Sequence, residues 1–345
     1  MPRAGAFYLI AFAMLLPSAG ALRRVVVTGG NKGIGQAICK RILCDQADTH
    51  VLLGSRNAAR GEKAVQQILA DPAAPSDAAD RIEVLPLETT DDASVAAAVK
   101  LVADKYGSEP APLHGICCNA GVGFGRSISE TLDVNLYGVK RCCEAFLPLI
   151  NPDGGRIVNI ASASGPNFVR GLDGEQEELF TSPKTTWEEL DAALKRYAAL
   201  TDYEGISYGL SKAALTQYAA HPSPHATPPC PPAPHPPPPP PPARPAPPLP
   251  PPRPPPHRRY TMQLAQQQPS LKVNACSPGY VLTDLTAGMG ASKTPDESNC
   301  HVAPLFLLFD EPPTPPATAW YYGSDAVRSP LNVYRGPGDP PYTGP

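Results

Sequence analysis

Val25-Val26-Val27-Thr28-Gly29-Gly30-Asn31-Lys32-Gly33-Ile34-Gly35-Gln36-Ala37-Ile38-Cys39 joins a β-branched run to a helical pattern through a glycine-rich turn. The spacing Thr28-Gly29-x-x-x-Gly33-x-Gly35, after a strand and at the opening of a helix, is the context a dinucleotide-binding loop requires. Glycines there let the backbone approach a pyrophosphate, which sits over the helix N-terminus. The same turn with no ligand is the alternative, and the strand before it and the helix after it count against that reading.

The rest of the chain continues the pattern. Val25 to Val27, Val51 to Leu53, Ile82 to Leu87, Leu113 to Cys118 and Arg156 to Ile160 read as strands. Between them, helical patterns run over Gly33 to Leu43, about Ala58 to Leu69, Asp91 to Tyr106 and Ser129 to Leu149. Strands alternating with helices of this length predict an α/β fold, a doubly wound parallel sheet in a single domain. Ligands then bind beyond the C-terminal strand ends. Lys272 to Ala275 reads as a sixth strand and Trp320 to Tyr322 as a short last one. A helix from Thr186 to Leu200 stands in an insertion, capped by Thr186 with Glu189 three residues on.

Charge distinguishes the cofactor. Lys32 lies in the loop and Arg56 follows the second strand, where an acidic residue would accept the ribose hydroxyls of NAD. Two cations and no carboxylate at Gly54-Ser55-Arg56 favour the 2′-phosphate of NADP(H); two solvated surface cations are the alternative. Downstream, Tyr208-Gly209-Leu210-Ser211-Lys212 puts a phenol and an ammonium four residues apart, on one helix face. There the ammonium can depress the phenol's pKa and make it a usable proton donor.

Taken with those motifs, the ordered elements Asn119-Ala120-Gly121, Asn135-Leu136-Tyr137-Gly138, Gly155 to Ile160 leading to Ser162, and Pro278-Gly279-Tyr280-Val281-Leu282-Thr283 resemble the short-chain dehydrogenase/reductase family. Within it the chain is similar to monomeric NADPH carbonyl reductases, through the long interval between Ser162 and Tyr208. The resemblance covers Arg24 to about Asp284 apart from a proline-rich tract, with a weaker match around Thr294-Pro295-Asp296-Glu297, and implies a Rossmann-like sheet, a monomer and a small-molecule carbonyl substrate. It implies Tyr208 as proton donor and Lys212 as the group that lowers its pKa and binds the nicotinamide ribose. It also implies Ser162 as the group polarising the carbonyl, and Asn135 as holder of a relay water. Thr28, Gly29, Asn31, Lys32, Gly33, Ile34, Gly35, Arg56, Glu88, Asn119, Ala120, Gly121, Pro278, Gly279, Val281 and Thr283 would contact the cofactor. Two positions depart from the family pattern: Cys118 stands where the first Asn of Asn-Asn-Ala-Gly is usual, and Glu88 where an Asp is usual.

Composition sets the outer limits. The 345 residues carry a net charge of −3, which argues for neither nucleic acid nor an anionic membrane surface as partner. Nine cysteines include the pairs Cys117-Cys118 and Cys142-Cys143, neither with metal-ligand spacing, so buried free thiols are expected and no metal. Arg3, the apolar run Ala6 to Leu16 and Pro17-Ser18-Ala19-Gly20-Ala21 read as a secretory or plastid-targeting segment, too short for a stable membrane span. A simple apolar arm on a cytoplasmic protein is the alternative.

Of the chain's 47 prolines, 23 fall between His221 and Arg259, with no acidic residue among them. Neither a helix nor a central strand forms through such a tract, which is expected to be disordered or polyproline II. It interrupts the helix that Tyr208 opens. Joining Tyr218 to Thr261 restores one continuous helical pattern, so the tract reads as a retained intron or gene-model error; a real arm for a polyproline-binding partner is the competing reading. Transcript reads across codons 218 to 261 that uniformly include the tract would sink the first idea. The functional expectation is NADPH-dependent reduction of a ketone, aldehyde or quinone. The alternatives are an NADP-dependent alcohol dehydrogenase working oxidatively, and a non-catalytic NADP-binding scaffold with a partner-binding arm.

Overall fold

The structure, a computed structural model, describes residues 22–109, 111–182, 184–200, 204–219, 271–310 and 318–342. The targeting segment at residues 1–21 and the proline tract at 221–259 lie outside the described residues, as does the helix continuation beyond it.

Seven strands form one parallel sheet in the order β3-β2-β1-β4-β5-β6-β7. They are β1 (Arg23–Val27), β2 (Thr49–Ser55), β3 (Ile82–Pro86), β4 (Gly115–Cys118), β5 (Arg156–Ile160), β6 (Lys272–Cys276) and β7 (Tyr321–Tyr322). Both faces are covered, which is why the strands read as continuous apolar runs. In β1, Val26 packs into one layer with Leu52, Ile116 and Ile157. Val25 and Val27 pack into the opposite layer with Ile38, Val51 and Val158. Reading β1 outward to β2 and β3 on one side, and to β4 through β7 on the other, the sheet reverses direction between β1 and β4. A crevice at the C-terminal strand ends follows from that reversal.

Helices α1 (Gly33–Asp45), α2 (Ala58–Leu69) and α3 (Asp92–Tyr106) fall where the patterning predicts. Asn57 caps α2 by accepting from the Arg60 N–H at 2.9 Å. Asp91 caps α3 by accepting from the Ala93 N–H at 2.9 Å. The single helix expected from Ser129 to Leu149 is divided into α4 (Ile128–Leu132), a π-helical turn (Asp133–Tyr137), α5 (Gly138–Phe146) and a short 3₁₀ turn (Leu147–Leu149). A wide turn of this kind is frequent at functional sites, and here it contains Asn135.

The insertion holds three helices where one was expected: α6 (Ser164–Val169), α7 (Gly174–Thr181) and α8 (Trp187–Ala198). The capping box predicted for α8 is present, with the Glu189 N–H donating to Thr186 Oγ1 at 3.1 Å and the Thr186 N–H donating to Glu189 Oε2 at 2.7 Å. Helix α9 (Ser207–Ala219) carries Tyr208 and Lys212 and runs on past both, with residues from Ser207 to Tyr218 packed in the interior. A last helix, α10 (Val302–Phe309), was not anticipated; its Leu307 and Leu308 close the layer over β1 and β5.

Candidate active site

A cavity of about 960 Å³ opens at the C-terminal strand ends, bounded by the β1–α1 loop, the ends of β2 to β5, α9 and the segment after β6. The sequence brings the two halves of this site together through backbone, since Thr28 and Asn119 lock the ends of β1 and β4. Thr28 Oγ1 accepts from the Asn119 and Ala120 N–H groups at 3.0 and 2.9 Å. Asn119 Nδ2 in turn donates to the carbonyls of Thr28 and Gly29 at 3.0 and 3.2 Å. Thr28 is buried and does not border the cavity, and its hydroxyl oxygen accepts both bonds of the lock. Asn119 does line the cavity, with its amide committed to the loop.

The loop fits a pyrophosphate. Gly29 and Gly33 have φ of +64° and +56°, and a Cβ on Gly35 would stand 2.4 Å from both Asn119 Nδ2 and the Gly29 carbonyl oxygen. Only glycine satisfies both requirements. Asn31, Lys32, Ile34, Ala120, Gly121, Pro278, Gly279, Val281 and Thr283 all border the cavity.

At its β2 end the cavity meets Arg56, Arg60 and Glu88. Arg56 Nη1 donates to Glu88 Oε2 at 3.5 Å, a long and exposed contact. Lys32 Nζ donates to Asp284 Oδ2 at 2.6 Å across the mouth, and that cation draws the Asp284 carboxyl below its ordinary pKa. Exposed pairs of this type contribute at most about 1 kcal/mol, so a phosphate can displace either carboxylate. Glu88 also accepts from the Thr90 N–H at 3.3 Å and its hydroxyl at 3.0 Å, which ties the loop after β3.

Ser162, Tyr208 and Lys212 also line the cavity. Helix α6 lies directly against α9, where a Cβ on Gly165 would come within 3.0 Å of the Lys212 carbonyl carbon and the Ala213 nitrogen. That approach brings Ser162 beside Tyr208, whose phenol is hydrogen-bonded to the Ser162 hydroxyl. Gly165→Val overpacks the contact and should destabilise the fold by about 1–3 kcal/mol. Thermal unfolding and cofactor titration of the folded fraction check whether the separated helices also lose the Ser162–Tyr208 pair.

Burial pushes the Tyr208 phenol above its ordinary pKa, and the Ser162 hydroxyl pulls it partly back. The predicted lowering by Lys212 is not what this geometry shows. The Lys212 ammonium stands 5.7 Å from the Tyr208 ring centroid and donates to the Ile160 carbonyl at 2.8 Å. Burial lowers its own pKa from 10.5 to about 8. At pH 7 the pair is therefore a neutral phenol beside a mainly protonated, costly ammonium.

Asn135 is fully buried and does not line the cavity. Its Oδ1 accepts from the Val122 N–H at 2.8 Å, and its Nδ2 donates to the Val122 carbonyl and to Ser211 Oγ, each at 3.0 Å. Ser211 Oγ donates to the Tyr208 carbonyl at 2.8 Å. Asn135 thus fastens the β4 loop to the α9 turn that carries Tyr208. Cys118, the first departure, faces Cys143 with sulfurs 3.7 Å apart and pairs in register with Asn159, whose Nδ2 is buried without a partner.

Sequence reasoning missed Arg60, Val122, Phe124, Arg126, Leu285 and Met289 as lining residues. Arg60 carried a usable signal, a second cation shortly after Arg56. The others lie in loops whose course is set by tertiary contacts.

A family model described as short chain dehydrogenase matches residues 23–172. Among curated proteins, carbonyl reductase (NADPH) 1 of Macaca fascicularis is 28% identical over 294 residues, spanning 80% of this chain and 87% of that protein. The Homo sapiens protein of the same name is 28% identical over 290 residues, spanning 79% and 86%. Among solved structures, salutaridine reductase from Papaver somniferum superposes with a TM-score of 0.62 at 22% identity, covering 87% of this chain and 99% of that one. Menthone neomenthol reductase from Mentha piperita gives 0.59 at 20% identity, covering 88% and 99%. The two structures share the fold of this chain.

Proposed function

We propose that the chain is a short-chain dehydrogenase/reductase that reduces the carbonyl group of a ketone, aldehyde or quinone at the expense of NADPH, a reading supported by the family match over residues 23–172 and by its NADPH-named relatives. The observation that carries the reading is that Ser162, Tyr208 and Lys212 line the same cavity as the glycine-rich turn after β1, with the Lys212 ammonium 5.7 Å from the Tyr208 ring centroid. Its curated relatives are named as NADPH enzymes, and Arg56 and Arg60 give this chain two cations where a 2′-phosphate would lie.

NADPH, when bound, supplies the hydride. The protein's part is to hold the carbonyl and manage the proton. Ser162 donates a hydrogen bond to the carbonyl oxygen and fixes it beside Tyr208. The Tyr208 hydroxyl, kept protonated by burial, passes its proton to that oxygen as negative charge develops on it. Lys212 would hold the nicotinamide ribose of the bound cofactor, and Gly121 leaves room beside it, since a Cβ there would lie 3.8 Å from Lys212 Nζ. Asn135 holds the β4 loop and the Tyr208 turn in register.

The test is consumption of NADPH with a panel of aromatic and aliphatic aldehydes, ketones and quinones. Turnover on one or more of them with NADPH, and much weaker turnover with NADH, is expected; cofactor binding without turnover on any member would favour the scaffold reading. Replacing Arg56 and Arg60 together by Ala should weaken NADPH binding about 10- to 100-fold, for two exposed charge-assisted contacts at about 0.7–1.4 kcal/mol each. NADH binding should stay within about twofold, a difference that fluorescence titration resolves.

A further inference from the structure

The cofactor reading leaves one lining cation unused. Arg126 borders the cavity two residues after Phe124, whose ring centroid lies 4.8 Å from that of Tyr208. It therefore stands at the proton-donor end, away from the phosphate end marked by Arg56 and Arg60. Of the other lining cations, Lys32 is engaged by Asp284, Lys40 by Asp71 and Asp296, Arg56 by Glu88 and Lys212 by the Ile160 carbonyl, while Arg60 follows Arg56 at the phosphate end. No hydrogen bond or ion pair joins Arg126 to another described residue. The acid in its electrostatic reach, Glu130, has its Oε2 occupied by the Ser127 N–H and hydroxyl at 3.1 and 2.9 Å.

The cavity that Arg126 borders also exposes apolar side chains. Phe124, Tyr280, Leu282 and Met289 border the same cavity and remain 46%, 58%, 37% and 46% exposed. Large apolar side chains left open at a cavity mouth mark a surface that a ligand covers. An unpaired guanidinium lining the same cavity selects a planar anion, because its donors match a carboxylate in pairs.

We propose that the substrate is an apolar carbonyl compound bearing a carboxylate, which Arg126 binds while Phe124 and Met289 cover the apolar body. The proposal rests on the carbonyl-reduction reading of this site. The carboxylate takes no part in bond making: hydride adds to the carbonyl carbon, the Tyr208 proton adds to its oxygen, and the acid group leaves unchanged. Arg126 acts on specificity and on binding.

The experiment compares para-formylbenzoate with its neutral partner para-formylbenzamide, using NADPH and the full chain. Wild-type enzyme should show a KM about tenfold lower for the anion, a preference that weakens as salt is raised. Arg126→Gln should raise the KM for the anion about tenfold, with kcat and both constants for the amide unchanged, and Arg126→Lys should restore part of the preference. Equal KM values for the two compounds in wild type, or an equal change for both in Arg126→Gln, overturns the proposal. Failure of wild-type enzyme to reduce either compound or any member of the carbonyl panel overturns the reduction reading beneath it, whereas turnover without charge preference overturns the Arg126 assignment alone.

Discussion

Replacing Tyr208 by Phe should lower kcat about a thousandfold, within the range of about 10²–10⁴ that a positioned proton donor contributes. NADPH binding should hold within about twofold, because the ring and its packing against Phe124 remain. Stability should shift by no more than about 1 kcal/mol, since the lost hydroxyl leaves Ser162 a second partner in Ser164 Oγ at 3.3 Å. Burial raises the Tyr208 phenol and keeps it protonated across neutral pH, so the group is in the donor form when the carbonyl arrives. A Phe variant retaining more than about a tenth of wild-type kcat would assign the proton to another group. Steady-state kinetics and cofactor titration on the same sample separate a lost proton donor from a misfolded site.

Lys212→Met should abolish most turnover and yet leave the protein at least as stable as wild type at pH 7. The lysine is fully interior, and burial lowers its pKa from 10.5 to about 8. Its ammonium is therefore worse off in the folded chain than in the unfolded one, by about 3 kcal/mol when fully protonated. The sign follows from the direction of the shift. The cost is fully present below about pH 8, shrinks as the folded-state group loses its proton, and is gone above the unfolded value of 10.5. Chemical denaturation of the two proteins from pH 6 to pH 10 should show wild type gaining on the Met variant through that window. A Met variant markedly less stable at every pH would mean that the hydrogen bond from Lys212 to the Ile160 carbonyl outweighs desolvation. Retained turnover in the variant would remove Lys212 from the chemistry.

The chain announced its sheet because burial on both faces leaves little choice of residue. Val25, Val26 and Val27 face alternate layers and must all be apolar. The glycine loop was legible for a similar reason, since positive φ at Gly29 and Gly33 and the close approach at Gly35 exclude other residues. Tyr208, Lys212 and Ser162 stood out by order and spacing, and the fold brings them to one cavity.

Other features depend on contacts that spacing does not encode. The π-helical turn at Asp133–Tyr137 lies within an ordinary helical pattern, and the Asn135 amide there is bonded to Val122 and Ser211, far away in the chain. Thr28 also locks β1 to β4, through bonds from residues 91 and 92 positions away. Lys212 looked like a partner for the Tyr208 hydroxyl, but its ammonium is turned to the Ile160 carbonyl. Helices α6 and α7 fall in a stretch with glycines and prolines that gave no helical signal, and the contact at Gly165 against α9 sets their place.

The most direct measurement follows the label from deuterated NADPH into product. Wild-type protein is mixed with the deuterated cofactor and a carbonyl compound that it turns over, and the alcohol is analysed by mass spectrometry. One deuterium on the former carbonyl carbon is expected, formed about a thousandfold more slowly by Tyr208→Phe. Saturable NADPH binding with no labelled alcohol from any compound in the panel would contradict the account and leave a cofactor-binding protein without this chemistry.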